Sequence, residues 1–291
     1  MSLRDVFAEA GVSDVGATIS QVTNVIRERG NIPTYLDNRV IEILRGAPVG
    51  EGDANLVRHY LRRLSDKGPR YRTWAQREAQ LSQFNADSEL DFRAVCSQGA
   101  GRAFQWGGLD CFKTIYELAL YPMMLAEIRP HSIIELGAGV GGSAAWFGDM
   151  CVAHDLDAVV HAVDLKVEDG IEGATRTWRG DCMGWVKAAS ANRDDFGSPV
   201  LVIEDFHGDL GQTMQALDDF LRPGDYLVIE DAIPKQMQLA QALQGRPFVI
   251  DTHYTDFFGV NCTSAINGIL QRVWGPPAPR RDGSFAGILF R

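Results

Sequence analysis

Two apolar segments of this 291-residue chain each run into an acidic pair, Val-Leu-Val-Ile-Glu204-Asp205 and Tyr-Leu-Val-Ile-Glu230-Asp231. Carboxylates gathered in one place repel, and their pKa values rise unless a cation sits among them. Oxygen ligands of this hardness suit Mg²⁺, which keeps some waters and accepts further oxygens. The competing expectation is that Glu204 and Glu230 cap helices or touch a cofactor and that no metal binds. His207 lies on the same loop as Asp205. A neutral imidazole there can take a proton from a bound hydroxyl, or can serve as an outer partner of the acids. His253, in Asp-Thr-His-Tyr, is a second candidate base. His59, His131, His154 and His161 have no acidic cluster around them and read as structural.

A second constellation precedes these. Residues 133–142, Ile-Ile-Glu-Leu-Gly-Ala-Gly-Val-Gly-Gly, carry an apolar strand into a glycine turn, and Ser143 opens a helix. Such a turn lets a ligand approach the backbone and aims the first helical N–H groups at it. Gly137, Gly139 and Gly142 satisfy the dinucleotide pattern G-x-G-x-x-G, while Glu135, Gly137, Gly139 and Gly141 satisfy the acidic E-x-G-x-G-x-G pattern of adenosylmethionine sites. Asp164 ends the next strand, where an acid accepts hydrogen bonds from ribose hydroxyls with either cofactor. Asp181 and Cys182 end the following strand, a place for an acid on an adenine amino group, although Gly-Asp also makes ordinary turns.

The elements that position these residues alternate. Strands are expected at Ser132–Leu136, Val159–Leu165, Thr175–Arg179, Val200–Asp205 and Tyr226–Asp231, with helices such as Ser143–His154 and Gly211–Leu221 between most of them. This order makes a mostly parallel sheet with ligands beyond its carboxyl edge. Pro247–Ile250 and Gly268–Val273 are expected to form an antiparallel final pair. Residues 97–109 read as a flexible glycine- and aromatic-rich loop, a cover for the site or a linker, ending at Asp110 as cap of the apolar helix Phe112–Ile128. Residues 1–96 read as a helical region for packing, oligomer contacts or a substrate lid, and 97–291 as the Rossmann-like domain.

Hydrophobic content of 45% and charged content of 23% suit a soluble globular chain. A net charge of −10 with no basic block argues against a nucleic-acid surface. Five scattered cysteines without a C-x-x-C pair indicate neither a disulfide framework nor a zinc site. No apolar run reaches membrane-spanning length and the N-terminus has no apolar signal core, so the expected setting is cytoplasmic, without a membrane partner.

Residues from about Trp106 to Val273 resemble the cephalosporin-hydroxylase-type family of S-adenosylmethionine-dependent methyltransferases. The resemblance rests on Gly108-Leu-Asp-Cys-Phe-Lys113, Ile128-Arg-Pro130, the 135–143 turn, Arg222–Asp231 and Asn267-Gly268. Macrolide-sugar O-methyltransferases of this group use Mg²⁺, held by one carboxylate from the fourth strand end and a Glu-Asp pair from the fifth. The resemblance therefore implies a class I methyltransferase sheet, mostly parallel with an antiparallel last strand. It implies Glu135, Gly137, Gly139, Gly141, Ser143, Asp164, Asp181 and Cys182 around S-adenosylmethionine. It also implies Asp205, Glu230 and Asp231 around Mg²⁺, with Glu204 in reserve because the family's Asp-x-x-His is shortened here to Asp205-Phe-His207. The expected reaction is O-methylation of a small-molecule acceptor, a natural product or its sugar, by a homo-oligomer. Asp205 orients the hydroxyl through the metal, and His207 or His253 takes the proton. Two alternatives stand beside it. A nicotinamide-dependent oxidoreductase accounts for Gly142 but leaves Glu135 and the acids without a role. A non-catalytic cofactor-binding subunit of a biosynthetic pathway is the other.

Overall fold

The structure is a computed structural model describing residues 3–50, 52–65, 68–81, 88, 90–167, 169–171 and 175–275. The chain divides into two compact units, Met1–Pro69 and Arg70–Arg291. The first holds α1 (Leu3–Glu9), α2 (Val15–Glu28), α3 (Tyr35–Leu44) and α4 (Asp53–Ser65). Their apolar faces meet in a core that includes Val6, Val22, Val40, Ile43, Val57 and Leu61. Thr34 and Asp37 form a capping box that starts α3. Asp37 is also fully buried, and Arg29 and Tyr60 both donate to it.

The second unit contains β1 (Tyr71–Arg72), β2 (Phe104–Trp106), β3 (Leu109–Cys111), β4 (Ser132–Leu136), β5 (Val159–Asp164), β6 (Thr175–Arg179), β7 (Val200–Glu204), β8 (Tyr226–Ile229), β9 (Phe248–Asp251) and β10 (Ile269–Arg272). Its helices are α5 (Trp74–Leu81), α6 (Phe92–Val95), α7 (Ile115–Ile128), α8 (Gly142–Ala153), α9 (Cys182–Ser190), α10 (Leu210–Phe220), α11 (Gln236–Ala242) and α12 (Thr252–Thr255). The main sheet has the order β1-β9-β10-β8-β7-β4-β5-β6. β6, β5, β4, β7 and β8 are parallel, and β10 runs antiparallel to both β8 and β9. This is the Rossmann-like sheet with an antiparallel late strand that the class I methyltransferase resemblance implies.

The central strands are buried on both faces, which is why they read as continuous apolar runs. Alternate residues serve opposite layers. Ile134, Leu136, Val202 and Leu227 pack in the layer of α9, α10 and α11, while Ile133, Leu201, Ile203 and Val228 pack in the layer of α7 and α8.

Three expectations change. The division between units falls at 69/70 rather than after residue 96, because β1 pairs with β9 and Arg77 of α5 clamps Asp256 and Asn267. The supposed flexible loop ends in a hairpin: Gly107 and Gly108, at φ 57° and 82°, turn β2 back along β3. That hairpin is anchored, since the Trp106 indole donates to Asp149 of α8 at 2.7 Å. Asp110 therefore lies in β3, and the cap of α7 is Thr114, in a capping box with Glu117. None of the five cysteines is joined in a disulfide. No helix among the described residues is long and apolar enough to cross a membrane.

Candidate active site

The two Val-Ile-Glu-Asp strand ends look alike in sequence, but they are out of step by one residue. Glu204 pairs with Ile229, not with Glu230. Glu204 therefore faces the α9–α11 layer, where it meets Lys235 at 2.8 Å, just ahead of α11. Glu230 faces the α7–α8 layer, as does Glu135 of β4. There both meet Lys113, at 2.7 Å and 2.9 Å.

Lys113 is the hub of this layer. Its side chain is 1% exposed, and its ammonium also reaches Asp205 at 3.2 Å. Burial works against its charge, but Glu230, Glu135 and Asp205 together hold it well above the usual lysine value. The Tyr121 hydroxyl donates to the second oxygen of Glu230. Burial pushes the Glu230 carboxyl well above its ordinary range, against the pull of Lys113. Glu117 lies nearby, also buried and raised by burial, and accepts from Ser264 and the Thr114 N–H. One ammonium thus stands among several carboxylates.

At the rim, Asp205, His207 and Asp231 each offer a possible ligand atom within 4.8 Å of the others. The His207 Nε2 lies 4.0 Å from Asp205 and 3.7 Å from Asp231, too far for direct hydrogen bonds. Both His207 and Asp231 adopt left-handed backbone, φ 56° and 46°. Asp231 follows the end of β8, and its left-handed turn sets its carboxylate beside Asp205 rather than continuing the strand alternation. Asp205 and Asp231 come together with His207, while Glu230 is turned inward and held by Lys113 and Tyr121.

The glycine turn abuts this cluster. A side chain at Gly137 would strike the backbone of Asp205 and Phe206 at 2.5 Å, so this glycine makes room for the acidic loop. Gly141 accommodates Ile171, and Gly142 accommodates the Asp110 carbonyl of the hairpin. Gly139 is different: its φ is +56° and its missing side chain would point into open space. It is the place in the turn where a ligand can approach. Its N–H donates to Asp164 at 3.1 Å, which puts the expected ribose acid at the turn. Ser143 donates to Glu135 at 2.8 Å and orients it.

Asp181 caps α9 by accepting from the Gly184 N–H at 2.6 Å. The Cys182 thiol is buried behind it and pushed up to about 12 by that burial, so it is no thiolate. His253 is not brought to the acids. Its carboxylate neighbour is Glu127, 4.0 Å away, and its rings of contact are Tyr254 and Phe257. Glu127 lies ten residues beyond Glu117 on α7, about 15 Å along the axis.

Lys113, Glu117, Tyr121 and Lys235 received no role from the sequence. A signal for three of them existed, because residues 113, 117 and 121 recur at helical spacing in an otherwise apolar stretch.

Residues 99–179 match the family model described as Rhamnosyl O-methyltransferase/CmcI. The Rhamnosyl O-methyltransferase of Mycobacterium leprae is 27% identical over 139 residues, covering 44% of this chain and 59% of that protein. Its counterpart in Mycobacterium tuberculosis is 25% identical over 138 residues, covering 43% and 55%. The chain spans less than two thirds of the length of these curated relatives. Among solved structures, CmcI in its apo form is 29% identical with a TM-score of 0.51, covering 60% of this chain and 77% of that one. CmcI with SAH is 28% identical with a TM-score of 0.50, covering 60% and 85%.

Proposed function

We propose that this chain, a relative of the Rhamnosyl O-methyltransferase/CmcI family, transfers the methyl group of S-adenosylmethionine to a hydroxyl of a natural product or its sugar with the help of Mg²⁺. The observation that carries this reading is the pairing of the open space beside Gly139 with a rim formed by Asp205, Asp231 and His207. The donor chemistry fits. Glu204 and Glu230 are matched by lysines, while Asp205, which shares Lys113 at 3.2 Å, and Asp231 are the hard carboxylates that a hard cation would meet. Bound there, Mg²⁺ supplies a lower pKa and a fixed orientation for the acceptor hydroxyl.

The chain's own residues do the rest. Asp205 and Asp231 are the residues that would hold the cation. The imidazole of His207, a softer donor than Mg²⁺ prefers, is left to take the hydroxyl proton. Gly137, Gly139 and Gly141 shape the cofactor turn, Ser143 and Lys113 fix Glu135 behind it, and Asp164 is placed for the ribose. Asp181 and Cys182 border the adenine end. Much of the rate gain comes from holding two reactants in line. A nicotinamide cofactor is the poorer fit, because Gly142 is explained by packing against the hairpin. Five free cysteines suit a reducing cytoplasm, and the helices of Met1–Pro69 are the candidate self-association surface.

The test is calorimetry with S-adenosylhomocysteine and then Mg²⁺. Micromolar nucleoside binding followed by Mg²⁺ binding that Asp231→Asn weakens is the expected result. Absence of nucleoside binding sinks methyl transfer; nucleoside binding without any Mg²⁺ binding removes the metal alone.

A further inference from the structure

The amino edge of the parallel strands carries a cavity of about 350 Å³ that methyl transfer does not use. It is bounded by Tyr71 of β1, the last turn of α7, the turns before β7 and β8, and Gln271 of β10. Tyr226 opens β8 at its wall, while Glu230 and Asp231 follow the other end of that strand, about 13 Å further on. The cavity is therefore separate from the glycine turn and from the acidic rim.

Its chemistry is one-sided. Tyr226 donates to the fully buried Asp251 at 3.0 Å, so in the 3.3 Å contact between the two phenol oxygens Tyr71 is the donor. Both phenol protons are committed inward, and burial raises both phenol pKa values, so neither ring ionises. Pro199 and Pro223 line the cavity without an N–H to offer. Glu127 stands half-exposed at the mouth. Burial works against its charge, but bonds from Arg70 at 2.6 Å and Tyr254 at 2.7 Å hold its carboxyl below the ordinary glutamate range. It also belongs to the last turn of α7, the negative end of the helix dipole. Arg70 answers both Asp251 and Glu127, one guanidinium against two carboxylates, and His253 lies 4.0 Å from Glu127. Gln271 brings an amide whose carbonyl oxygen can accept. Acceptors and aromatic walls thus dominate.

We propose that this cavity binds a small organic cation, a monoamine whose ammonium meets Glu127 and the carbonyl end of α7 while its hydrocarbon lies against Tyr71, Tyr226 and the two prolines. Carboxylates and aromatic faces both attract such a group. One face of the Tyr71 ring already carries a cation, the Arg70 guanidinium, 5.1 Å from its centroid. The volume lies near the bottom of the range of about 300–1,000 Å³ found for small-molecule sites, which suits a monoamine better than a nucleoside or a glycoside. The site does not depend on methyl transfer, and its occupant binds whether or not the chain takes up S-adenosylmethionine.

The full chain is titrated calorimetrically at pH 8 with benzylammonium chloride, benzyl alcohol and sodium benzoate. Benzylammonium should bind with a Kd of about 1 mM or tighter, benzyl alcohol at least about ten-fold more weakly, and benzoate not at all. Glu127→Gln should raise the benzylammonium Kd about ten-fold. Gln271→Lys should abolish binding by adding a cation to the wall, and Gln271→Glu should tighten it about five-fold. The Gln271 pair carries the test on its own should loss of the Arg70 and Tyr254 bonds disturb α7. No binding of benzylammonium, equal binding of the alcohol, or a Kd indifferent to the charge at position 271 overturns the proposal. Displacement of benzylammonium by S-adenosylhomocysteine overturns it too, by placing the amine at the glycine turn.

Discussion

Glu204 and Asp205 are chain neighbours, as are Glu230 and Asp231, yet the members of each pair live in different solvents. The glutamates are 1% and 2% exposed, and each meets a buried lysine, Lys113 being shared by Glu230 with Glu135 and Asp205. The aspartates are 12% and 32% exposed and face His207 across a gap. A buried carboxylate needs a permanent counter-charge built into the fold, because desolvation is costly and no ion can be borrowed from water. A carboxylate at the rim can wait for a mobile cation. The difference teaches how one acidic strand edge can serve as framework and, in the proposed function, as binding site: the lysines match the inner row, and in the outer row Lys113 reaches Asp205 while Asp231 faces His207.

Lys113→Met attacks the inner row and carries the largest expected effect. Stranding Glu135 and Glu230 should cost about 3–5 kcal/mol of folding stability, read from urea unfolding. A loss under about 1 kcal/mol would show that the inner row is not held by that ammonium. Asp231→Asn attacks the outer row. Mg²⁺ affinity should fall about a hundred-fold, ~2.7 kcal/mol, with stability nearly unchanged. Equal losses of stability and affinity would erase the distinction between the rows.

His161 gives the reference for burial with no counter-charge. It sits against Trp185 and Phe196, and burial together with Arg176 pulls its pKa down from 6.5 to about 4. The unfolded chain takes up this proton first as pH falls. Stability is therefore full above about pH 6.5 and is lost by up to about 3 kcal/mol as pH drops to about 4. His161→Phe should flatten that part of the pH–stability curve; an unchanged acid limb would place the titrating group elsewhere. The smallest effect belongs to Trp106→Phe, which removes the bond to Asp149. Hydrogen exchange should report a hairpin loosened by about 1 kcal/mol with Mg²⁺ affinity intact. A matching fall in Mg²⁺ affinity would tie the hairpin to the outer row.

The parallel strands were legible because both faces are buried and their apolar runs are unbroken. The late antiparallel pair and the glycine turn were legible for similar local reasons. The placement of the acids was only partly so. Two copies of Val-Ile-Glu-Asp look interchangeable along the chain, while the ladder offsets them by one residue and sends the glutamates to opposite layers. The 113, 117 and 121 spacing singles out Lys113 but not its partner Glu230, which is 117 residues away and beyond any local pattern. Gly142 misled in the other direction, since it completes a dinucleotide pattern but serves the Asp110 carbonyl. The hairpin was hidden by its two three-residue strands, too short for alternation to register.

The left-handed backbone at His207 and Asp231 sets folding and chemistry at odds. Each such position costs a non-glycine residue of order 1–3 kcal/mol, which glycine would largely escape. Selection for thermal robustness alone would therefore push both positions toward glycine and erase the rim. A campaign to stabilise this protein should hold these two residues fixed and look for its gains elsewhere.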